Sequence, residues 1–277
     1  MKKHLKKYLT MASILSLALF LAACSNKPIN SQSTGIWDKG IVYSFSRAII
    51  WLAHTFGGYG MGIIIFTIIV RIVILPLMIY QTKSMRKTQE LQPKLKALQK
   101  KYSSKDMETV RKLQEEQKQL YSEAGVNPFA SILPMIVQLP VIYALYQAIW
   151  RTDVLRGGSF LWLELGHRDP YFILPILAAV FTFFSSWLSM ASQPEKNTMT
   201  SAMTWVMPIM IFFMAMNISS AISLYWVVTN AFQVGQTLVI QNPFKINRER
   251  AEKEAAEKAH RKAVEKAKRN ARKSRRK

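Results

Sequence analysis

Five long apolar stretches, almost free of charged residues, constrain this chain more than any other feature of its sequence. A helix needs about 20 mostly apolar residues to cross the hydrocarbon core of a bilayer, and all but the fourth stretch reach that length. The pattern predicts an all-α membrane protein with five transmembrane helices. The predicted spans cover residues 58–80, 129–150, 170–191, 202–216 and 219–240.

Residues 1–23 are typical of a secretory signal peptide, because a lysine-rich leader precedes a short apolar segment. Leu21-Ala22-Ala23-Cys24 closes that segment and resembles a bacterial lipobox, in which the leader is cut just before a lipid-modified cysteine. We predict an N-acyl diacylglycerol anchor with palmitate at Cys24, and the alternative is an uncleaved anchor with a chance cysteine. Because Cys24 is the only cysteine, neither a disulfide framework nor a cysteine metal site is expected.

The charge between the spans predicts the topology, because basic residues accumulate on the cytoplasmic side of membrane proteins. Residues 81–127 carry 11 Lys and Arg against 6 acids, residues 151–169 carry 3 of each, and residues 242–277 carry 15 against 5. Five spans that begin outside place the first and last of these segments in the cytoplasm. We therefore predict a bacterial plasma-membrane protein with its mature N-terminus outside and its C-terminus inside.

The segments between the spans have distinct patterns. Apolar residues alternate with charged ones before the break at Gly57-Gly58, which predicts an amphipathic helix in the outer membrane interface. Two narrow leucine seams at helical spacing flank a polar turn after the first span, which predicts a cytosolic helical hairpin. We expect the seams to pack on each other; the alternative is a docking arm for a partner, and the sequence leaves the role of the outward faces open. The predicted signal peptide occupies residues 1–23, and the tether with its interfacial helix occupies residues 24–56. The first span covers residues 57–81 and the hairpin covers residues 82–128. The remaining spans cover residues 129–241, and the basic tail covers residues 242–277.

Arg71 lies near the middle of the first predicted span. A central arginine costs on the order of 3 kcal/mol on insertion scales, so its charge must be paired or hydrated. None of the five spans contains an Asp or Glu that could pair with it. We therefore expect Arg71 to face a water-containing cavity inside the helix bundle.

Other polar residues at depth are expected to share this cavity. Each alone is more often a hydrogen-bonding contact between helices, but together with Arg71 they outline a hydrophilic groove. Such a site suits a negatively charged, hydrophilic segment and suits proton coupling poorly, because coupling usually needs carboxylates in the membrane. The residues are Gln138, Ser185, Ser186, Asn230, Gln233 and Gln236.

The sequence contains no motif typical of an enzyme, and we expect neither catalysis nor a cofactor. The four histidines are scattered among the leader, the interfacial helix, the second loop and the tail. His167 lies near Glu164 and Asp169, but a surface loop of mixed charge explains this trio better than a metal site does.

Short motifs in a specific order complete the pattern. They are Gly125-x-Asn127-Pro128, Pro134, Gln138, Pro140, Asp169-Pro170-Tyr171, Pro175, Leu224-Tyr225-Trp226 and Asn230. Over roughly residues 57–240 this set resembles the YidC/Oxa/Alb family of membrane protein insertases, and the lipobox with five spans resembles its Gram-positive branch.

The resemblance implies five helices around a hydrophilic groove that opens to the cytoplasm and the lipid. It implies that Arg71 attracts the acidic part of a substrate, that Trp226 is a groove aromatic, and that the hairpin follows the first span. The basic tail resembles tails that touch the ribosome, since Lys and Arg bind RNA phosphates, although anionic lipids attract the same charge.

We therefore predict a membrane protein insertase and chaperone for newly synthesised membrane proteins, working alone or with the Sec translocon. A nascent chain would bring its acidic or polar part to the groove while its apolar helix enters the lipid. The alternatives are a small-molecule or ion transporter, which needs a continuous pore, and a membrane scaffold that tethers ribosomes.

Overall fold

The structure, a computed structural model, describes residues 27–104, 106–127, 133–193 and 198–274. The predicted signal peptide and Cys24 lie outside the described residues. Helices dominate these ranges, and one pair of two-residue strands interrupts them. The predicted all-helical class therefore holds for the described chain apart from this hairpin of strands.

The first described helices lie where the sequence predicts an interfacial helix. A π-helical segment, Ile36–Val42, continues directly into α1, Tyr43–Phe56. Helix α1 ends at Gly57, whose φ of 86° belongs to the left-handed region that favours glycine. One face of α1 is buried against the next helix, whereas Trp51 remains 66% exposed.

Helix α2, Tyr59–Glu90, is longer than the predicted first span. The sequence predicts that the span ends at residue 81 and that the hairpin begins with a new helix. Instead one helix continues to Glu90, because no glycine or proline interrupts residues 77–90. The break comes at Leu91, just before Pro93, which lies in the first turn of α3, Gln92–Lys101.

Helices α3 and α4, Met107–Glu123, form the hairpin, and its base has a small apolar core. Leu91 and Leu95 are buried there with Val126. The predicted seam does not close along its whole length, since Val110 remains 38% exposed. At the other end of the hairpin, the Lys101 ammonium lies 3.1 Å from the Glu116 carboxylate.

The remaining elements follow in a simple order. Helix α5 leads into a loop that contains α6 and the strands β1 and β2, which pair antiparallel. Helix α9 continues as a π-helical segment, Thr237–Gln241, before the tail helix α10. Their bounds are α5 Leu133–Trp150, α6 Asp153–Arg156, β1 Ser159–Phe160, β2 Leu163–Glu164, α7 Ile173–Ala191, α8 Thr198–Ala215, α9 Ser220–Gln236 and α10 Pro243–Ser274.

Two of these helices, α2 and α7, are long and apolar enough to cross a membrane. Shorter apolar stretches occupy Ile136–Trp150 of α5 and Ser201–Ala215 of α8. Helix α9 is apolar for most of its length but shorter than a full span. The count of five spans therefore remains a prediction.

The main apolar core lies at one end of the bundle, which we call the loop end because it carries residues 151–172. The first turns of α2, α7 and α9 meet the last turns of α5 and the loop leucines there. Leu145, Leu155 and Leu165 are completely buried. The loop end is thus filled by closely packed apolar side chains. We call the opposite end, which carries α3 and α4, the hairpin end.

The tail helix α10 is attached to the hairpin end of α7. The Asn247 side-chain amide donates to the Ala191 carbonyl at 2.7 Å, and the Arg250 guanidinium donates to the Ser192 carbonyl at 3.2 Å. These bonds satisfy carbonyls that the end of α7 leaves without a helical partner. Beyond this joint α10 runs to Ser274.

Candidate functional site

A cavity of about 410 Å³ lies on the hairpin side of the core. All five apolar helices contribute to its wall. Most of the polar residues predicted for the groove are among the lining residues. These are Thr67, Val70, Arg71, Ile74 and Met78 of α2, Val137, Gln138 and Val141 of α5, Thr182 of α7, Met207 and Ile211 of α8, and Tyr225, Trp226, Thr229, Asn230 and Gln233 of α9.

Arg71 lies half-buried in this wall, in the middle of α2. Within the described ranges its guanidinium makes neither an ion pair nor a hydrogen bond. Such a group is stable only where water or an anion can reach it.

A hydrogen bond crosses the cavity wall between two helices. The Gln138 amide of α5 donates to the Tyr225 hydroxyl of α9 at 2.5 Å. Tyr225 is only 3% exposed, so the bond joins the two helices in a place that bulk water does not reach freely. It also fixes the position of a phenol oxygen beside the arginine-lined space.

The α9 side of the cavity follows helical periodicity. Tyr225, Thr229 and Gln233 lie four residues apart and therefore share one face. Trp226 and Asn230 form the adjacent stripe, where the Asn230 amide donates to the Trp226 carbonyl at 3.0 Å. Helix α9 thus presents a polar face to Arg71 with one aromatic ring at its edge.

Two of the cavity threonines, Thr67 and Thr182, are satisfied locally. The Thr67 hydroxyl donates to the Ile63 carbonyl at 2.7 Å, and the Thr182 hydroxyl donates to the Ala178 carbonyl at 2.7 Å. A hydroxyl that bonds to its own helix backbone still accepts a hydrogen bond through its oxygen. These oxygens can bind water in the cavity.

Ser185 and Ser186 are not in this cavity, although the sequence predicts one continuous groove. They line a second depression of about 330 Å³, one helical turn closer to the hairpin end than Thr182. Met207 of α8 lines both spaces and separates them. Of the eight predicted groove residues, the structure therefore brings together Arg71, Gln138, Trp226, Asn230 and Gln233.

Tyr225, Thr229, Thr67 and Thr182 were not predicted as site residues. Helical spacing from Gln233 indicates Tyr225 and Thr229, which precede it by eight and four residues. Similarly, Thr67 lies four residues before Arg71 on α2. Gln236, which the sequence places in the groove, is buried elsewhere, at 8% exposure.

The residues that line the cavity make it electrostatically positive. Among the described lining residues Arg71 is the only cation, and none is a carboxylate. No group of three His, Cys, Asp or Glu in the described part of the chain could hold a metal ion. His167 and Glu164 form only an exposed pair at 3.1 Å. The arrangement can therefore attract an anion by charge and bind polar groups by hydrogen bonds.

Comparison with known proteins places this geometry in a family context. Residues 51–249 match the family model described as "60Kd inner membrane protein". The chain is 65% identical to the membrane protein insertase YidC of Pediococcus pentosaceus over 91% of each chain. It is 60% identical to the membrane protein insertase YidC 2 of Lactiplantibacillus plantarum over 92% of each chain.

A solved structure has a similar fold. The crystal structure of an active YidC insertase, with its first transmembrane domain resolved, superposes with a TM-score of 0.57 at 28% sequence identity. The match covers 73% of this chain and 46% of the other, so this chain spans less than half of that protein.

Proposed function

Since this chain belongs to the 60Kd inner membrane protein family and is a bacterial membrane protein insertase, we propose that it draws the acidic or polar parts of newly made membrane proteins into the Arg71 cavity. The family resemblance of the sequence is confirmed by these relatives. The observation that carries the mechanism is an arginine without a carboxylate partner among the described residues, in a cavity walled by five apolar helices.

The proposed mechanism uses charge and hydration and needs no covalent step. Two opposite unit charges 4 Å apart attract by about 4 kcal/mol at an effective dielectric of 20. A client carboxylate beside Arg71 therefore recovers part of its dehydration cost. The membrane potential then drives the acidic segment outward with about 2.3 kcal/mol per charge for each 100 mV, while the apolar helix of the client moves into lipid.

We propose that the loop end faces outward and the hairpin end faces the cytoplasm, with five spans in the order α2, α5, α7, α8 and α9. The charge distribution supports this orientation. The π-helical extension Thr237–Gln241 lengthens α9 towards a full span. Cysteine labelling from outside tests the orientation: labelling at Ser159→Cys and none at Lys112→Cys is expected, and the reverse would contradict it.

We also propose a lipid anchor at Cys24 and cytoplasmic partners for the hairpin and tail. The lipobox supports the anchor, and Cys24→Ser is expected to abolish incorporation of labelled palmitate. The tail's excess of positive charge suits ribosomal RNA or anionic lipids. Cooperation with the Sec translocon is compatible with the same groove.

The decisive experiment measures insertion of a client with an acidic N-terminal tail into liposomes that contain only this protein. Arg71→Ala is expected to lower insertion roughly tenfold, which corresponds to the loss of about 1.4 kcal/mol of attraction. Arg71→Glu is expected to lower it further by repulsion, and Arg71→Lys is expected to keep most of the activity, because a point charge suffices.

Arg47→Ala provides a matched control, because Arg47 is an exposed arginine on α1 beside the Tyr43 ring. This variant is expected to insert the client at the wild-type rate. Full activity in both Arg71→Ala and Arg71→Glu would exclude attraction by this charge. Several clients are required, since a client without an acidic tail does not depend on the attraction.

A further inference from the structure

The depression that contains Ser185 and Ser186 has a chemistry of its own. It lies between α7 and α8, and Met207 divides it from the Arg71 cavity. Ser185, Ser189 and Gln193 are spaced by four residues and therefore form one stripe along α7. The stripe consists of neutral hydrogen-bonding groups.

These groups have unused hydrogen-bonding capacity. In the portion of the chain that the structure describes, the side chains of Ser185, Ser186 and Gln193 make no hydrogen bond. Two nearby hydroxyls behave differently: Thr182 of α7 and Ser192, which follows the last residue of α7, donate to backbone carbonyls at 2.7 Å each. The stripe is thus distinct from the ordinary hydroxyls of α7.

The α8 wall is adaptable and weakly polar. Its Ser201 and Thr204 hydroxyls donate hydrogen bonds to the Met190 sulfur of α7, at 3.7 and 3.6 Å. A thioether is a weak acceptor, so a better acceptor can displace it at little cost. Met203 and Met207 complete this wall, and methionine side chains repack readily around different shapes.

Charge distinguishes this depression from the cavity beside it. Its described lining residues include no ionisable side chain, whereas the neighbouring cavity contains Arg71. A client carboxylate is attracted more strongly by Arg71 than by neutral hydroxyls, because charge attraction adds to hydrogen bonding. A client amide or hydroxyl inside an apolar helix gains from neutral hydrogen-bonding groups, because an unpaired polar group in hydrocarbon is expensive.

We propose that this depression is a second client subsite, which binds transmembrane segments that carry Asn, Gln, Ser or Thr within an otherwise apolar helix. The proposal rests on the insertase function proposed above and adds a class of client that needs no acidic tail. The client's polar side chain bonds to Ser185 and Ser186 until it finds its partners in the folded protein. Met207 keeps this interaction separate from the attraction by Arg71.

Two matched clients test the proposal in liposomes. One has an acidic tail and a purely apolar helix, and the other has a neutral tail and a single Asn in the middle of the same helix. The double variant Ser185→Ala/Ser186→Ala is expected to lower insertion of the Asn client about three- to tenfold, the range for one or two interhelical hydrogen bonds. Its effect on insertion of the acidic client is expected to be several-fold smaller. Arg71→Ala is expected to lower insertion of the acidic client more than insertion of the Asn client.

The control double variant is Ser44→Ala/Ser159→Ala, which removes two exposed hydroxyls far from the depression. It is expected to leave both clients unaffected. A photo-crosslinker at Ser186 is expected to capture the Asn client more than the same helix with Leu in place of Asn. Equal loss of both clients in the Ser185→Ala/Ser186→Ala variant, or cross-links to lipid alone, would overturn the subsite. If Arg71→Ala spares every client while the serine variant remains selective, only the charge mechanism fails.

Discussion

Arg71 and Arg151 both lie on apolar helices or at their ends, yet their surroundings are opposite. Arg151 follows the last residue of α5, and its side chain is 2% exposed. Its two terminal nitrogens donate to both Asp38 oxygens at 2.9 and 2.8 Å, and its Nε donates to the Lys27 carbonyl at 2.7 Å. Arg71, by contrast, has no such partner within the described residues.

The contrast teaches how to distinguish a structural cation from a functional one. The bonds of Arg151 fasten the N-terminal segment to α5, and the Ile29 N–H reinforces them by donating to the Arg151 carbonyl at 2.9 Å. A bidentate carboxylate pair uses the directional capacity of a guanidinium fully. The charge of Arg151 is neutralised by the Asp38 carboxylate within the fold, whereas the charge of Arg71 remains available for a ligand.

The largest expected effect on stability comes from breaking the Arg151 pair. Arg151→Ala leaves the Asp38 carboxylate without its partner in a mostly buried site, which typically lowers the free energy of unfolding by about 3–5 kcal/mol. Denaturant titration in detergent micelles measures this change. Arg71→Ala is expected to leave stability unchanged or to raise it, because it removes a charge that burial penalises.

Arg156→Ala is the matched control for Arg151→Ala. Arg156 pairs with Asp153 at 3.1 Å on the surface, where the two side chains are 48% and 79% exposed. Removing such a pair changes stability by about 1 kcal/mol or less. The distinction between the two arginine sites fails if Arg71→Ala destabilises the protein as strongly as Arg151→Ala does.

A smaller effect is expected at the hydrogen bond between Gln138 and Tyr225, which lies beside Arg71. Tyr225→Phe is expected to lower the free energy of unfolding by about 1 kcal/mol, the net value of a typical hydrogen bond. A double-mutant cycle with Gln138→Leu isolates the bond. Thr67→Val is the comparison variant, because the Thr67 hydroxyl bonds only to its own helix. Zero coupling in the cycle would show that the bond between Gln138 and Tyr225 does not join α5 to α9.

The smallest expected effect concerns the exposed charges of the hairpin, which contrast with both arginines. The Asp106 carboxylate accepts hydrogen bonds from the Ser104 hydroxyl and from the Thr109 N–H, which hold the pKa of Asp106 well below its usual value. Because the folded pKa is the lower one, this contribution is complete at neutral pH. It diminishes as the pH falls below the unfolded value of about 3.9.

Amide hydrogen exchange in the first turn of α4 measures this change in the intact protein. Exchange is expected to accelerate as the pH falls through this window, after correction for the intrinsic rate. Asp106→Asn keeps a side-chain acceptor for the N-cap bond and is expected to remove the pH dependence. An unchanged profile in Asp106→Asn would assign the dependence to another group.

Much of the candidate site was predictable because a polar residue within an apolar stretch stands out by itself. Arg71, Gln138, Asn230 and Gln233 were identified in this way, and Trp226 through the family motif. Ser185 and Ser186 are just as conspicuous, but their separation from the cavity depends on Met207 of another helix. Tyr225 was missed because its polarity is small, although the four-residue spacing towards Gln233 could have revealed it.

The sequence by itself determined that this chain has long apolar helices, a deep arginine without an acid in any predicted span, and a charge asymmetry between its loops. These are local properties, which hydropathy and helical periodicity report directly. Only the tertiary structure decided that Arg151 pairs with Asp38, which is 113 residues away, and that Met207 divides the polar space in two. Such contacts depend on how separate helices pack, and no local pattern contains that information.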